Sequence, residues 1–139
     1  MSGRSETGKT DIVGRTTAAA QARGVAAEAL AEALLSRHGV RILGRRLRCR
    51  GGEIDLVGLD GDTLVFVEVR LRAPGRFGDA AESITATKQR RIIHAAQWWL
   101  SGAGQQHAAR AMRFDAVLLD GLDPRRARWL RAAFDSDAW

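Results

Sequence analysis

The chain is short of several features that commonly announce a function. Cys49 is its only cysteine, which excludes an internal disulfide and fits a reducing cytosol. As a lone thiol with no metal-ligand pattern near it, Cys49 reads as a small core residue. No apolar stretch approaches the roughly 20 residues of a membrane helix, and residues 1–20 lack the apolar centre of a secretory signal. A cytoplasmic protein without a membrane partner is therefore expected. His38, His94 and His107 have no paired spacing for zinc and read as surface or cap residues. Gly51-Gly52 leads into a strand rather than a helix, so it is not a phosphate loop, and no other nucleotide-binding motif or internal repeat is present.

Lysine is scarce as well. Lys9 and Lys88 are the only two, so the net charge of +6 is carried almost entirely by arginine. The planar guanidinium fork suits phosphate, which makes a nucleic acid a natural partner. A genome rich in G and C would favour arginine codons to the same effect, and charge alone does not separate the two.

What is present is enough for one folded domain. The 139 residues are 45% hydrophobic, sufficient for a real core. Residues 1–15 carry Ser, Thr, Gly and charges without apolar periodicity and read as a mobile tail, leaving 16–139 as a single domain. A helix is predicted from Thr17 to Arg37, with Val25, Ala29, Leu30, Ala33 and Leu34 as its apolar stripe and His38-Gly39 as its end. Strands follow at about 40–48, 53–59 and 63–71. Pro74-Gly75 opens a loop, a second helix spans about Ser83 to Leu100, and "MRFDAVLLD" at 112–120 is a further strand. Residues 125–135 fit either a short strand or a helix. The order αβββαβ predicts an α/β sandwich, a central mixed β-sheet flanked by helices, with an antiparallel meander first and a parallel strand after the second helix.

Within the third strand, "LVFVEVR" (64–70), Glu68 interrupts an apolar run. An ionised carboxylate left there without a partner would cost several kcal/mol. With Asp60-Gly61 as a two-residue hairpin loop, Glu53 stands opposite Glu68 and Asp55 opposite Phe66. Glu53, Asp55, Glu68 and Arg70 then share one face. Three carboxylates on one patch repel one another unless a cation sits among them. A hard divalent ion, Mg²⁺ or Mn²⁺, would resolve the conflict and could activate a water against a phosphodiester. The alternative is structural: Glu68 pairs with Arg70, Arg72 or Arg48 and merely satisfies the sheet.

"GGEIDLV" followed by "LVFVEVR" resembles the Asp…Glu-x-Lys core of the restriction-endonuclease-like, or PD-(D/E)XK, superfamily. More narrowly, the chain from about Arg23 to Phe134 is similar to the YraN-like family of small uncharacterised bacterial proteins. "RGVAAEALAEALL", "ILGRRLRCRGGEIDL", "FVEVRLR", "FGDAAESITATKQRRI" and "RFDAVLL" carry the likeness. Archaeal Holliday-junction resolvases are similar in motif layout. The resemblance implies a restriction-endonuclease-like sandwich, a DNA partner, a Mg²⁺ or Mn²⁺ cofactor and, as one arrangement, a homodimer. It implies that Asp55 and Glu68 are metal ligands, with Glu28 on the first helix facing the same ion and Glu53 supporting them from outside. Arg70 stands where the superfamily has its catalytic lysine. Arginine keeps its proton, so only the electrostatic part of that role survives.

Lys88 offers a lysine from another direction. Its helix also carries Arg91 and Trp98 on roughly one face, which could contact phosphates and stack a base. Arg72 is a further candidate phosphate contact. A tryptophan at this spacing is more often core, and both Trp98 and Trp99 are expected there. The expected function is a divalent-metal-dependent endonuclease acting on DNA, branched or otherwise structured, with Asp55, Glu68, Arg70 and Lys88 as its catalytic residues. The alternatives are a nucleic-acid-binding module of the same fold that has lost the chemistry, and a protein scaffold in DNA repair or recombination.

Overall fold

A computed structural model describes residues 2–72 and 84–135, with side chains described from residue 18 onward. The predicted architecture is the one observed. Five strands, β1 (Arg41–Cys49), β2 (Gly52–Asp60), β3 (Thr63–Arg72), β4 (Met112–Asp120) and β5 (Ala127–Phe134), form one sheet in sequence order. All neighbours are antiparallel except β3 and β4, which run parallel. Residues 125–135, open in the sequence between helix and strand, supply mostly β5.

Helix α1 (Ser2–Arg37) covers one face of the sheet and helix α2 (Ala86–Leu100) the other. α1 starts well before the Thr17 predicted from periodicity. The spacing of its buried residues, Ala27, Ala31 and Leu35, is one helical turn each, and these seat on Val65, Val67, Val117 and Leu119. α2 buries Ile92, Ala96 and Trp99 against Ile54, Val57, Phe66 and Leu118. Its start is fixed by Thr85, whose hydroxyl accepts from the Lys88 N–H at 3.2 Å. Pro74-Gly75 and the predicted helix start at Ser83 lie outside the described residues. β3 and β4 are apolar on both faces because both faces are covered, which explains the continuous runs "LVFV" and "AVLL".

α2 sits unusually close to β2. A Cβ at Gly52 would lie 2.4 Å from the Arg91 carbonyl oxygen and 2.9 Å from the Ala95 nitrogen. Both neighbours are backbone and cannot rotate away. Gly52→Ala should therefore push the helix off the sheet at a cost of about 2–3 kcal/mol, visible as a lower urea midpoint at unchanged slope.

The hairpin between β2 and β3 corrects the predicted register. Asp60 pairs with Thr63, so the loop is Gly61-Asp62, with Gly61 at φ 62° as its first residue. Glycine is favoured first in one class of two-residue turn and second in the other, and the sequence "DGD" admits both. Val57, not Asp55, stands opposite Phe66.

Period-two alternation in β2 also breaks. Ile54 and Val57 pack in the α2 layer, whereas Leu56 packs in the α1 layer. The break coincides with Arg46 of β1, which has φ 50° and lies between the pairs Arg45↔Leu56 and Leu47↔Ile54, across from Asp55. A second left-handed residue, Ala132 at φ 54°, sits in β5, whose register against β4 shifts between Phe114 and Ala116. Its N–H is taken by the fully buried Asp115 at 2.9 Å.

Candidate active site

β2 and β3 pair from the hairpin only as far as Leu56↔Val67. Beyond that point β2 continues beside β1 to Cys49↔Gly52, and β3 continues beside β4 to Arg72↔Asp120. The sheet forks, and Asp55 and Glu68 are the first residues past the fork. A fork leaves backbone groups without ladder partners. Asp55 answers one of them: its Oδ2 accepts the Val69 N–H at 2.7 Å.

The same position brings Asp55 against Glu68. The two carboxyls share a hydrogen bond, and the Glu68 carboxyl is pushed from its ordinary 4.5 up to about 9. Burial is the largest cause, the hydrogen bond and charge of Asp55 follow, and Arg70 and Lys88 pull weakly the other way. Among the described residues Glu68 forms no ion pair with Arg48 or Arg70, although Arg70 lies near enough to act on its charge. Arg48 instead lies 3.8 Å from Glu53. The Arg70 Nε is buried without a hydrogen-bond partner.

The predicted residues are distributed over two clefts, not one face. Glu68, Arg70, Lys88 and Arg91 line a cleft of about 120 Å³ beside α2. Asp55 and Glu28 line a larger one, about 500 Å³, beside α1. Glu53 borders both. The break in alternation at Arg46 accounts for the division, since it turns the Asp55 region of β2 toward α1. Glu28 is drawn off by the same arginine, whose Nε donates to its Oε2 at 3.0 Å. Arg72 ends β3, beyond the smaller cleft.

Among the described residues no three acids, histidines or cysteines are gathered closely enough to hold a metal. The donor chemistry of the central pair still suits a hard divalent ion. Two carboxyls in contact, kept together by a shared proton, are what a cation with oxygen ligands would relieve by taking the place of that proton. A turn of the Glu28 side chain away from Arg46 would bring the third acid of the larger cleft into play.

The pattern of the uncharacterised protein family UPF0102 matches residues 27–119, a span that holds every candidate residue from Glu28 to Arg91. The chain belongs to this family. A UPF0102 protein of Nitrosospira multiformis is 49% identical over 81% of this chain and 92% of its own length. One from Bordetella avium is 48% identical over 85% of this chain and 78% of its own. One from Pseudomonas aeruginosa is 47% identical over 82% and 93%. The family assignment that the sequence motifs implied is thereby established, and UPF0102 is described as uncharacterised.

One structural residue, Asp115, escaped the sequence reading, and two others were misplaced by it. Asp115 interrupts the apolar β4 as Glu68 interrupts β3, and the same signal would have flagged it. Unlike Glu68 it is fully satisfied: it accepts from Arg113 at 2.8 and 2.9 Å, from Trp129 Nε1 at 3.0 Å and from Ala132 N. Trp98, expected in the core, is 48% exposed, whereas Trp99 is buried as expected. His107, expected at the surface, is buried and stacks on the Trp99 ring with planes 4° apart. Cys49, half-buried, packs at the margin of the α2-side core. Among the described residues no helix is long and apolar enough to cross a membrane.

Proposed function

We infer that this UPF0102 protein is a divalent-metal-dependent endonuclease of the PD-(D/E)XK type, acting in the cytoplasm on DNA, branched or otherwise structured. The observation that carries the reading is Glu68, half-buried in a sheet and held against Asp55, its charge only weakly offset by Arg70 and Lys88. A carboxylate kept for stability is surrounded by donors, as Asp115 is. Glu68 instead keeps company with another acid and two unpaired cations, which is costly unless a ligand completes the set.

Asp55 and Glu68 would hold Mg²⁺ or Mn²⁺, with Glu28 as a third ligand and Glu53 beside them. Bound there, the ion would polarise a phosphodiester and supply a water ready to attack. Arg70, with its buried Nε unpartnered, neutralises charge that develops on the phosphate. Lys88 contributes a second cation from α2 and is the only lysine in the cleft able to assist proton transfer. Arg91 and Arg72 position the strand through its phosphates. A binding module without chemistry is the second reading, and Arg70 in the lysine position favours it.

Junction, flap, single-stranded and duplex DNA incubated with Mn²⁺ separate the two. Weak cleavage by the wild type is expected, abolished in identically purified Asp55→Asn and raised several-fold in Arg70→Lys. Loss on Lys88→Ala would put the proton-transfer lysine on α2. DNA binding that falls steeply with salt, without cutting by wild type or Arg70→Lys, would leave the binding module. Absence of any DNA binding would defeat both and leave a protein scaffold.

A further inference from the structure

Trp98 lies outside the site just described and is not among the side chains of the hydrophobic core. It is a large aromatic side chain, about half exposed, on a helix whose neighbouring Trp99 is buried. It helps to line a third cleft, about 460 Å³, together with Cys49, Arg50, His94, Gln97 and Ser101. That volume lies in the range of sites that hold small organic ligands, roughly 300–1,000 Å³.

The cleft is built rather than incidental. His94 Nε2 is hydrogen-bonded to the Arg50 carbonyl at 3.0 Å, which ties the turn after β1 to α2. A Cβ at Gly51 of that turn would lie 3.6 Å from the His94 ring, and Gly52 brings the strand and helix backbones into contact. At the end of α2, Ser101 Oγ donates to the Trp98 backbone carbonyl at 2.8 Å, which fixes the last turn that carries the tryptophan. The walls are therefore fixed relative to the sheet that carries Glu68.

Position and charge identify the occupant. Arg91 and Trp98 are almost two helical turns apart, nearly in line on α2 and separated by about 10 Å along its axis. Arg91 also lines the Glu68 cleft, so one helix face leads from that cleft to the tryptophan. No carboxylate among the described residues pairs with Arg50 or Arg91, whereas Arg45, Arg46, Arg48 and Arg113 each have one. A track of free guanidinium groups ending on an aromatic face fits a sugar-phosphate backbone whose terminal base is available to stack. A base paired within a continuous duplex would present only its edge.

We propose that Trp98, with Arg50 and Arg91, forms a stacking subsite for an unpaired base of a DNA strand whose phosphate lies in the Glu68 cleft. The substrate class is then DNA with a single-stranded segment beside the cleavage position: a flap, gap or open junction arm, not a continuous duplex. This rests on the nucleic-acid reading above. It does not require that the chain cut DNA.

Fluorescence anisotropy without divalent metal tests it on the full chain. The probes are a labelled oligothymidylate of about 12 nucleotides, within the site sizes of single-strand binders, and a blunt duplex of the same length. Trp98→Ala should weaken single-strand binding about 10-fold or more and leave duplex binding within about twofold, as expected for loss of one stacked base. Trp98→Phe should restore most of the affinity, which a merely structural role for the indole would not produce. Thermal melts of both variants should match the wild type, because the side chain is exposed. Unchanged single-strand affinity in Trp98→Ala, or equal losses on single strand and duplex, overturns the stacking subsite alone. If the wild type binds neither probe, the nucleic-acid reading fails and the subsite fails with it.

Discussion

Glu68→Gln should melt higher than the wild type at pH 8 and indistinguishably from it at pH 4. The Glu68 carboxyl is raised to about 9 in the fold, chiefly by burial and by contact with Asp55. Below its ordinary 4.5 the residue is protonated in both folded and unfolded chains, and titration contributes no difference. As pH rises from there toward 9, the unfolded chain releases a proton that the folded chain must retain, so wild-type stability falls. Glutamine has no proton to lose and escapes the decline. At pH 8 the gain should be about 2–4 kcal/mol, after allowance for relaxation of the pair, or roughly 5–15 °C in melting temperature. The gain should approach its plateau near pH 9. Saturating Mg²⁺ or Mn²⁺ should then raise the wild type, and not the mutant, through preferential binding to the folded state. Equal melting at pH 8 would mean that Glu68 ionises in the fold without penalty, and the basis for a cation site would go with it.

Asp115→Asn should have the opposite sign and a larger effect. The carboxylate has no solvent exposure and answers four donors, two of them from Arg113. Arg113 is in turn shared with Asp60 at 2.8 Å, and Asp115 is the main reason its guanidinium is held more tightly protonated than usual. An asparagine amide must point its NH₂ at donors in either orientation. It also removes the buried countercharge of Arg113. Breaking one partner of such a pair costs about 3–5 kcal/mol, so a fall of roughly 10–20 °C in melting temperature is expected. Cleavage or DNA binding measured well below that temperature should be unchanged, since the network faces the α1 layer, away from Glu68. Wild-type stability in Asp115→Asn would show that the donors find water or other acceptors.

These two acids also mark what the sequence could and could not convey. Apolar runs and the positions of β1 to β4 were legible because burial on both sheet faces writes directly into residue type. The helix stripe expected at Val25, Ala29, Leu30, Ala33 and Leu34 is instead rotated in the structure to Ala27, Ala31 and Leu35, since small alanines on every side leave the buried face unmarked. Legible too was the unusual placing of a carboxylate inside "LVFVEVR", which the structure brings against Asp55. The hairpin register was not, because "DGD" admits two loops and the choice depends on which one the sheet accepts. The distribution of Glu53, Asp55 and Glu68 over two clefts was hidden for a further reason. It depends on the left-handed backbone of Arg46, on a neighbouring strand, and arginine carries no preference for that conformation. The exposure of Trp98 and burial of Trp99 differ by one helical step of about 100°, finer than apolar spacing on a mostly polar helix can resolve.

The two left-handed residues have a consequence for self-association. Arg46 and Ala132 lie on β1 and β5, the two edges of the sheet. An edge strand can recruit a second chain only by offering a straight row of free N–H and C=O groups. Each edge here is interrupted near its middle or end by a residue whose backbone turns out of the row, and both are studded with arginine: Arg41, Arg45 and Arg48 on one, Arg128 and Arg131 on the other. Two copies meeting edge to edge would meet along a ladder that cannot run its full length and would have to displace bulky, ion-paired arginines such as Arg45, Arg48 and Arg131. Both sides of the described sheet are thus poor templates for a further strand, which disfavours fibrillar stacking of an otherwise β-rich, apolar-cored chain.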